Sequence, residues 1–285
     1  MSKIKEANVL VTGGGNGIGK QMGLKCLQEG CANLVIWDIN QENLDKTKKD
    51  FSNRGFKNVH TFLVDVSDID DVEKAGTEVL LEIGNIDILI NNAGIVAGTK
   101  SFWEYTAKDI DRTVDINIKG VMYVTRVFIK EMLKQKKGHV VNIVSASAYL
   151  GLPKGSVYAS SKWGAMGWSE SLRLELEREV GDLHVTAVCP SYIDTGMFKG
   201  VKAPLLFPLL EPENTADRII KAVKANQDHL LLPDTLNLVP VLKGIFSPKI
   251  FDVVADWLGV YSSMNSFEGR AEKERIPESK KQKSK

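Results

Sequence analysis

Apolar residues in this chain follow two alternating arrangements. Short, nearly continuous runs rich in β-branched residues occur at Asn8–Val11, Asn33–Trp37, Val59–Val64, Ile86–Ile90, Val140–Val144 and Val185–Cys189. Such runs suit strands buried on both faces of a parallel sheet. Between them, apolar positions recur every three or four residues. That spacing predicts helices near Gly17–Glu29, Gln41–Ser52 and Asp68–Ile83, a further helix opened by a Thr106/Asp109 capping box and continuing through Ile116, and one from the region of Tyr158 to about Val180. No repeat or linker interrupts the alternation, which predicts a single-domain α/β fold: a doubly wound parallel sheet with helices on both faces.

Two stretches add chemistry to this frame. The first strand runs directly into Thr12-Gly-Gly-Gly-Asn-Gly-Ile-Gly19, and a helix follows, with Gly30 as its stop. Glycines there let the backbone turn tightly and approach a pyrophosphate on the helix N-terminus. The spacing of Gly13, Gly17 and Gly19 is GxxxGxG rather than GxGxxG. The second strand ends at Asp38, about 20 positions on, where a carboxylate accepts hydrogen bonds from ribose hydroxyls. The same charge would repel a 2′-phosphate, and no Arg follows at positions 39 or 40, so NAD is expected over NADP.

The second stretch is Val140–Lys162. A strand breaks at Ser145, a loop carries Gly151, Pro153 and Gly155, and the next helix carries Tyr158 and Lys162. Residues four apart share a helical face, so phenol and ammonium point into one site. A phenol of pKa ~10 is a poor base at neutral pH, and a neighbouring cation favours its ionised form. With Ser145 able to hold a substrate oxygen, the set is a proton-transfer device for an alcohol or carbonyl. Asn117 falls mid-helix among Ile116, Ile118 and Val121, as either a structural strut or part of a proton relay.

Composition narrows the field. The net charge of +1 gives no general attraction to nucleic acid. Cys26, Cys31 and Cys189 are too few for a disulfide framework, and four scattered histidines suggest no metal site. Without a signal-peptide pattern or a run of ~18 apolar residues, a soluble cytoplasmic protein is expected.

Taken together, these residues resemble the short-chain dehydrogenase/reductase family over roughly residues 7 to 235. Thr12–Gly19 is similar to that family's cofactor loop, Asp65 to its acidic position beside the adenine, and Asn91-Asn-Ala-Gly94 to the loop that stabilises the sheet. Asn117, Ser145, Tyr158 and Lys162 are similar to its catalytic tetrad. Pro190–Thr195 resembles its PGxxxT nicotinamide-side loop, with Ser191 where Gly is usual. The resemblance implies a Rossmann-like NAD(P)-dependent oxidoreductase. Tyr158 would exchange the proton, Lys162 would lower its pKa and bind the nicotinamide ribose, and Ser145 would position the substrate oxygen. Asn117 would anchor a water between Lys162 and solvent. Gly13, Gly15, Asn16, Gly17, Ile18, Gly19, Asp38, Asp65, Val66, Asn92, Ala93, Gly94, Tyr158, Lys162, Pro190, Ile193 and Thr195 would contact the cofactor.

Downstream, the resemblance implies a substrate lid at about 195–212, where Met197, Phe198 and the leucines up to Leu210 stand with almost no polar group. With Tyr149 and Leu152 these residues, beside Ser145 and Tyr158, predict a lipophilic substrate. An apolar helical extension follows, at about 236–262, with Ser247-Pro248 as helix start and Gly259 as stop. It resembles the subgroup of retinol dehydrogenases and lipid-associated 17β-hydroxysteroid dehydrogenases, which implies an alcohol dehydrogenase of a retinoid-, steroid- or lipid-like substrate. A homodimer or homotetramer follows by resemblance, and peripheral membrane contact through the C-terminal helices is a further expectation. The dehydrogenase domain is expected over 1–270, with a charged, disordered tail at 271–285. The alternatives are a broad-specificity NAD(P)H carbonyl reductase, and an idle dinucleotide-sensing or membrane-docking protein.

Overall fold

The computed structural model describes residues 2–269; the tail expected at 271–285 lies outside the described residues. Seven strands form one sheet: β1 (Asn8–Thr12), β2 (Asn33–Asp38), β3 (Val59–Leu63), β4 (Ile88–Asn91), β5 (Lys137–Ile143), β6 (Asp182–Pro190) and β7 (His229–Leu232). All pair in parallel, in the order β3-β2-β1-β4-β5-β6-β7. Successive strands run outward on one side of β1 and then on the other side of β4. The reversal leaves a crevice at their carboxyl ends, where open α/β sheets bind ligands.

Helices α1 (Gly17–Gln28), α2 (Gln41–Asn53) and α3 (Ile69–Glu82) join the first strands, and α4 (Ala107–Val114) and α5 (Val121–Gln135) follow β4. Helix α6 (Ser156–Leu176) precedes β6, α7 (Pro212–Lys224) precedes β7, and α8 (Leu238–Ile245) and α9 (Pro248–Trp257) close the described chain. Met22, Leu44, Phe51, Ile219 and Val223 cover one face of the sheet. Val72, Val79, Phe128, Met132 and Leu176 cover the other. Both sheet faces are therefore buried, which is why the strands read as continuous apolar runs.

Boundaries moved in two instructive places. Helix α6 stops at Leu176, not near Val180, because Leu176 is the last residue with a core to enter while Val180 is 77% exposed. The capping box at Thr106 and Asp109 is present, but the helix it opens does not run on uniformly. Asp115–Gly120 form a π-helical turn between α4 and α5. Asn117 sits in that turn, and such turns are frequent at functional sites.

Polar residues inside the sheet hold the site's floor. The buried Asn91 donates from Nδ2 to Thr125 Oγ1 on α5 and to Asn142 Oδ1 on β5, both at 2.9 Å. Asn142 in turn donates to Ser169 Oγ on α6 at 2.9 Å. A buried amide without such partners would cost about 1–3 kcal/mol, so this ladder fixes β4, β5, α5 and α6 in one register.

Candidate active site

The glycine-rich loop occupies the crevice above β1 because only glycines fit its contacts. Gly13 and Gly17 adopt φ of +61° and +58°. A Cβ at Gly19 would lie 2.4 Å from Gly13 O and 2.5 Å from Asn92 Nδ2. Asn92 donates from Nδ2 to the carbonyls of Thr12 and Gly13, at 2.9 and 3.0 Å. Thr12 Oγ1 accepts from the backbone N–H groups of Asn92 and Ala93 at 3.0 and 3.1 Å. The loops after β1 and β4 are thereby stitched together. Asn16 caps α1, its side chain accepting from Gly17 N at 2.7 Å.

At the far side of this loop, Asp38 is held by its own backbone surroundings. Its Oδ2 accepts from Gly15 N at 2.9 Å and its Oδ1 from Asn40 N at 3.0 Å. Asp65 is likewise anchored, with Oδ1 accepting from both the N–H and the hydroxyl of Ser67.

A cavity of about 150 Å³ runs from Asp38 to Tyr158. Gly13, Asn16, Ile18, Asp38, Asp65, Val66, Asn92, Ala93, Gly94, Ser145, Tyr158, Lys162, Pro190, Ile193 and Thr195 line it, so most of the expected cofactor set converges there. Gly15, Gly17 and Gly19 shape the loop without lining the cavity. Sequence reasoning missed Trp37, Asn40 and Asn43, which also border it, as does Ser191 of the Pro190–Thr195 loop. Asn40 was detectable as an N-cap of α2, since its side chain accepts from Asn43 N at 3.0 Å.

Tyr158 and Lys162 project from α6 toward the end of β5, each almost fully buried. Lys162 Nζ donates to Ile143 O at 2.9 Å and lies 5.9 Å from the Tyr158 ring centroid. Burial pushes the phenol up to about 12, and the hydrogen bond to Ser145 pulls it back. Burial also lowers the Lys162 ammonium to about 8. Burial dominates the phenol here, with the Ser145 hydrogen bond opposing it, and one Lys162 donor goes to the Ile143 carbonyl. Ser145 also fixes its own loop, accepting from Ser147 N at 3.1 Å.

Asn117 is bonded at both ends of its side-chain amide. Its Oδ1 accepts from Ile95 N at 2.9 Å, and its Nδ2 donates to Ile95 O and to Ser161 Oγ, both at 3.0 Å. It ties the loop after β4 to the helix carrying Tyr158 and Lys162. Gly94 is packed beneath it: a Cβ there would lie 3.3 Å from Asn117 Oδ1 and 3.6 Å from Lys162 Nζ.

A second, smaller cavity of about 40 Å³ adjoins Ser145 and Tyr158 on the other side. Its walls are mostly apolar, including Leu150, Leu152, Phe198, Pro204, Phe207 and Val260. Of the expected substrate residues, Leu152 and Phe198 line it, Met197 borders the larger cavity, and Tyr149 lines neither. Tyr149 turns away, its hydroxyl 3.4 Å from His229 Nδ1, because its ring belongs with the cluster under α8. Tyr192 and Val260 were missed. Tyr192 follows directly on the Pro190-Ser191 loop and was open to suspicion, whereas nothing local in sequence marks Val260.

The family model described as short chain dehydrogenase matches residues 7–205. The chain belongs to the short-chain dehydrogenase/reductase family. It is therefore an oxidoreductase, with a Rossmann-like fold. Among curated relatives, mouse epidermal retinol dehydrogenase 2 is 35% identical over 268 residues, covering 93% of this chain and 86% of the relative. Human short-chain dehydrogenase/reductase 3 is 34% identical, covering 94% and 88%. Human estradiol 17-beta-dehydrogenase 11 is 32% identical, covering 86% and 81%. A putative short-chain dehydrogenase from Novosphingobium aromaticivorans superposes with a TM-score of 0.75 at 27% identity, covering 90% of this chain and 94% of its own. A short-chain dehydrogenase/reductase from Burkholderia phymatum, solved with NAD, shares the fold with a TM-score of 0.76 at 24% identity, covering 84% and 94%.

The chain's own loop fits such a dinucleotide. Side chains are excluded at Gly13 and Gly19 by contacts under 3 Å, the α1 N-terminus faces the cavity beside Asn16 and Ile18, and Asp38 stands fixed at the cavity's far end.

Proposed function

We propose that this dehydrogenase is NAD-dependent and oxidises lipophilic secondary or allylic alcohols, of retinoid-, steroid- or lipid-like character, with Tyr158 as the acid/base. The observation that carries this reading is the meeting of Ser145 and Tyr158 at the junction of two cavities. One cavity is long, with a carboxylate at its end; the other is walled by leucine, phenylalanine, proline and valine. The names of the relatives, retinol and estradiol dehydrogenases, point to the same substrate chemistry.

Asp38 would accept from the ribose hydroxyls and disfavour a 2′-phosphate; Lys162 would bind at the nicotinamide end of the cavity. Bound NAD would supply the hydride acceptor and, in its oxidised form, a positive ring charge that favours the phenolate. Ser145 would hold the substrate oxygen and stabilise the ionised Tyr158, which takes up the hydroxyl proton. The low Lys162 value keeps a transferable proton on this lysine near neutral pH, where relay toward solvent is useful.

The same reading includes a cytoplasmic homo-oligomer touching a lipid surface peripherally. No helix among the described residues is long and apolar enough to cross a membrane. On α9, however, Ile250, Val253, Val254 and Trp257 recur at helical spacing and are 41–79% exposed. Residues 270–285, which follow, hold seven Lys or Arg against three Glu, a charge suited to anionic lipid. Sedimentation with anionic vesicles, lost in Val253→Asp/Trp257→Glu, is the expected outcome; a dimer that buries this face without binding vesicles would assign it to a second copy.

The test of the reaction is reduction of NAD and of NADP across a panel of hydrophobic alcohols, with wild type beside Tyr158→Phe. Turnover with NAD that collapses in the variant supports the reading. A preference for NADPH with ketones would favour the carbonyl reductase, and NAD binding without any turnover would favour the idle protein.

A further inference from the structure

The C-terminal segment does more than end the chain. Helix α9 ends at Trp257, Gly259 just beyond it turns with φ of +82°, and the chain from there to Gly269 runs back across the lid. Leu205 N donates to Leu258 O at 3.2 Å and Lys202 N to Ser263 O at 3.1 Å. Glu268 N and Gly269 N both donate to Lys199 O, at 2.9 and 3.3 Å. Side chains close the same seam. The hydroxyls of Tyr192 and Ser263 share a hydrogen bond of 2.7 Å, and Ser263 is 1% exposed. The Phe198 ring stands edge-on between Tyr192 and Phe267, with centroids at 5.2 and 6.5 Å. Within this segment Val260 and Met264 are buried, and Val260 completes the wall of the small cavity beside Ser145 and Tyr158.

We propose that Gly259–Gly269 is a strap that latches the lid over the substrate cavity, and that Val260 sets the size of alcohol admitted. The proposal rests on the dehydrogenase reading for its substrate and on backbone geometry for its latch. Gly200 marks the closest approach. Its φ is +85°, and a Cβ built there would lie 2.1 Å from Ser266 O, a backbone atom that cannot step aside while the strap stays seated. Gly196 supplies the control, since it has a similar φ of +81° but open space around its missing Cβ. Alanine at either position suffers the same left-handed backbone. Only at 200 does it also strike the strap.

The experiment has two arms. Hydrogen exchange is followed in peptides covering 196–210 and 259–269 for wild type, Gly200→Ala and Gly196→Ala. Exchange at least about tenfold faster in both peptides for Gly200→Ala, and not in 259–269 for Gly196→Ala, is expected for hydrogen-bonded segments that open together. Equal behaviour of the two variants would overturn the latch. In the second arm, the ratio of kcat/KM for a hydroxysteroid to that for cyclohexanol is measured with NAD. Val260→Trp should lower this ratio by about tenfold or more and Val260→Ala should raise it, as expected when cavity volume discriminates between substrates. A ratio that stays fixed, or moves the same way in both variants, would remove Val260 as the size gate. Should wild type oxidise neither alcohol, the steroid-like substrate is overturned and a retinoid alcohol takes its place in the ratio, while the exchange arm still decides the latch.

Discussion

Replacing Lys162 by Met should stabilise the protein at neutral pH while removing its activity. Lys162 is 5% exposed, and burial lowers its ammonium from 10.5 to about 8. Each tenfold change in acidity is worth about 1.4 kcal/mol, so the charged side chain costs the fold about 3 kcal/mol below pH 8. Met fills a comparable linear volume without a charge, at the loss of the hydrogen bond to Ile143 O, worth about 1 kcal/mol. The difference leaves the variant about 2 kcal/mol more stable at pH 7, or about 3 °C in Tm for a chain of this size. The pH dependence has a definite sign. Between pH 8 and 10.5 the unfolded chain keeps the lysine proton that the folded chain has released, so wild-type stability rises with pH through this window. Above 10.5 lysine is neutral in both states, the penalty is gone, and the variant should be the less stable by about 1 kcal/mol. Thermal unfolding of both proteins at pH 7, 9 and 10.5 measures the difference directly, since other titrating groups are common to both. A variant that melts lower than wild type at pH 7, or an advantage that does not shrink as pH rises, would refute the argument.

Tyr158→Phe keeps the buried ring and removes the proton; turnover should fall by roughly 10²–10⁴-fold, with NAD affinity and Tm close to wild type, in steady-state and melting measurements. Asp38→Asn weakens charge-assisted bonds from Gly15 N and Asn40 N, and removes repulsion of a 2′-phosphate. The ratio of kcat/KM for NAD to that for NADP should fall roughly tenfold or more, as read from initial rates. Gly19→Ala forces a Cβ against Gly13 O and Asn92 Nδ2, so chemical denaturation should show a loss of roughly 1–3 kcal/mol, with NAD binding weakened in titration calorimetry. Asn91→Ala strands partners on α5 and β5 and should destabilise by about 1–3 kcal/mol without changing KM for NAD.

The site was legible wherever its residues belong to short, periodic or sterically constrained segments. The glycine loop could be read because the tight turns at Gly13 and Gly17 demand φ values that other residues avoid. Ser145, Tyr158 and Lys162 could be read because a strand end and a helical face place them within one stretch of chain. Tyr149 was misplaced for the opposite reason: its ring has two apolar environments within reach, the cavity and the cluster under α8, and local sequence does not rank them. The partners of Asn117, Ile95 and Ser161, lie on other segments of the chain, so its own helix could not reveal them.

By itself, the sequence determined the alternation of strands and helices, the cofactor loop and the order of the reactive side chains. These follow from backbone sterics and from apolar periodicity, which act over a few residues. Only the tertiary structure decided how deeply the phenol and ammonium are buried, which groups bond to Asn117, and the entry of Tyr192 and Val260 into the smaller cavity. Solvation and contact are properties of the assembled interior. Lys162 acquires its low value from burial in the assembled interior, and Val260 reaches the cavity that Tyr158 lines only because the strap folds back across the lid.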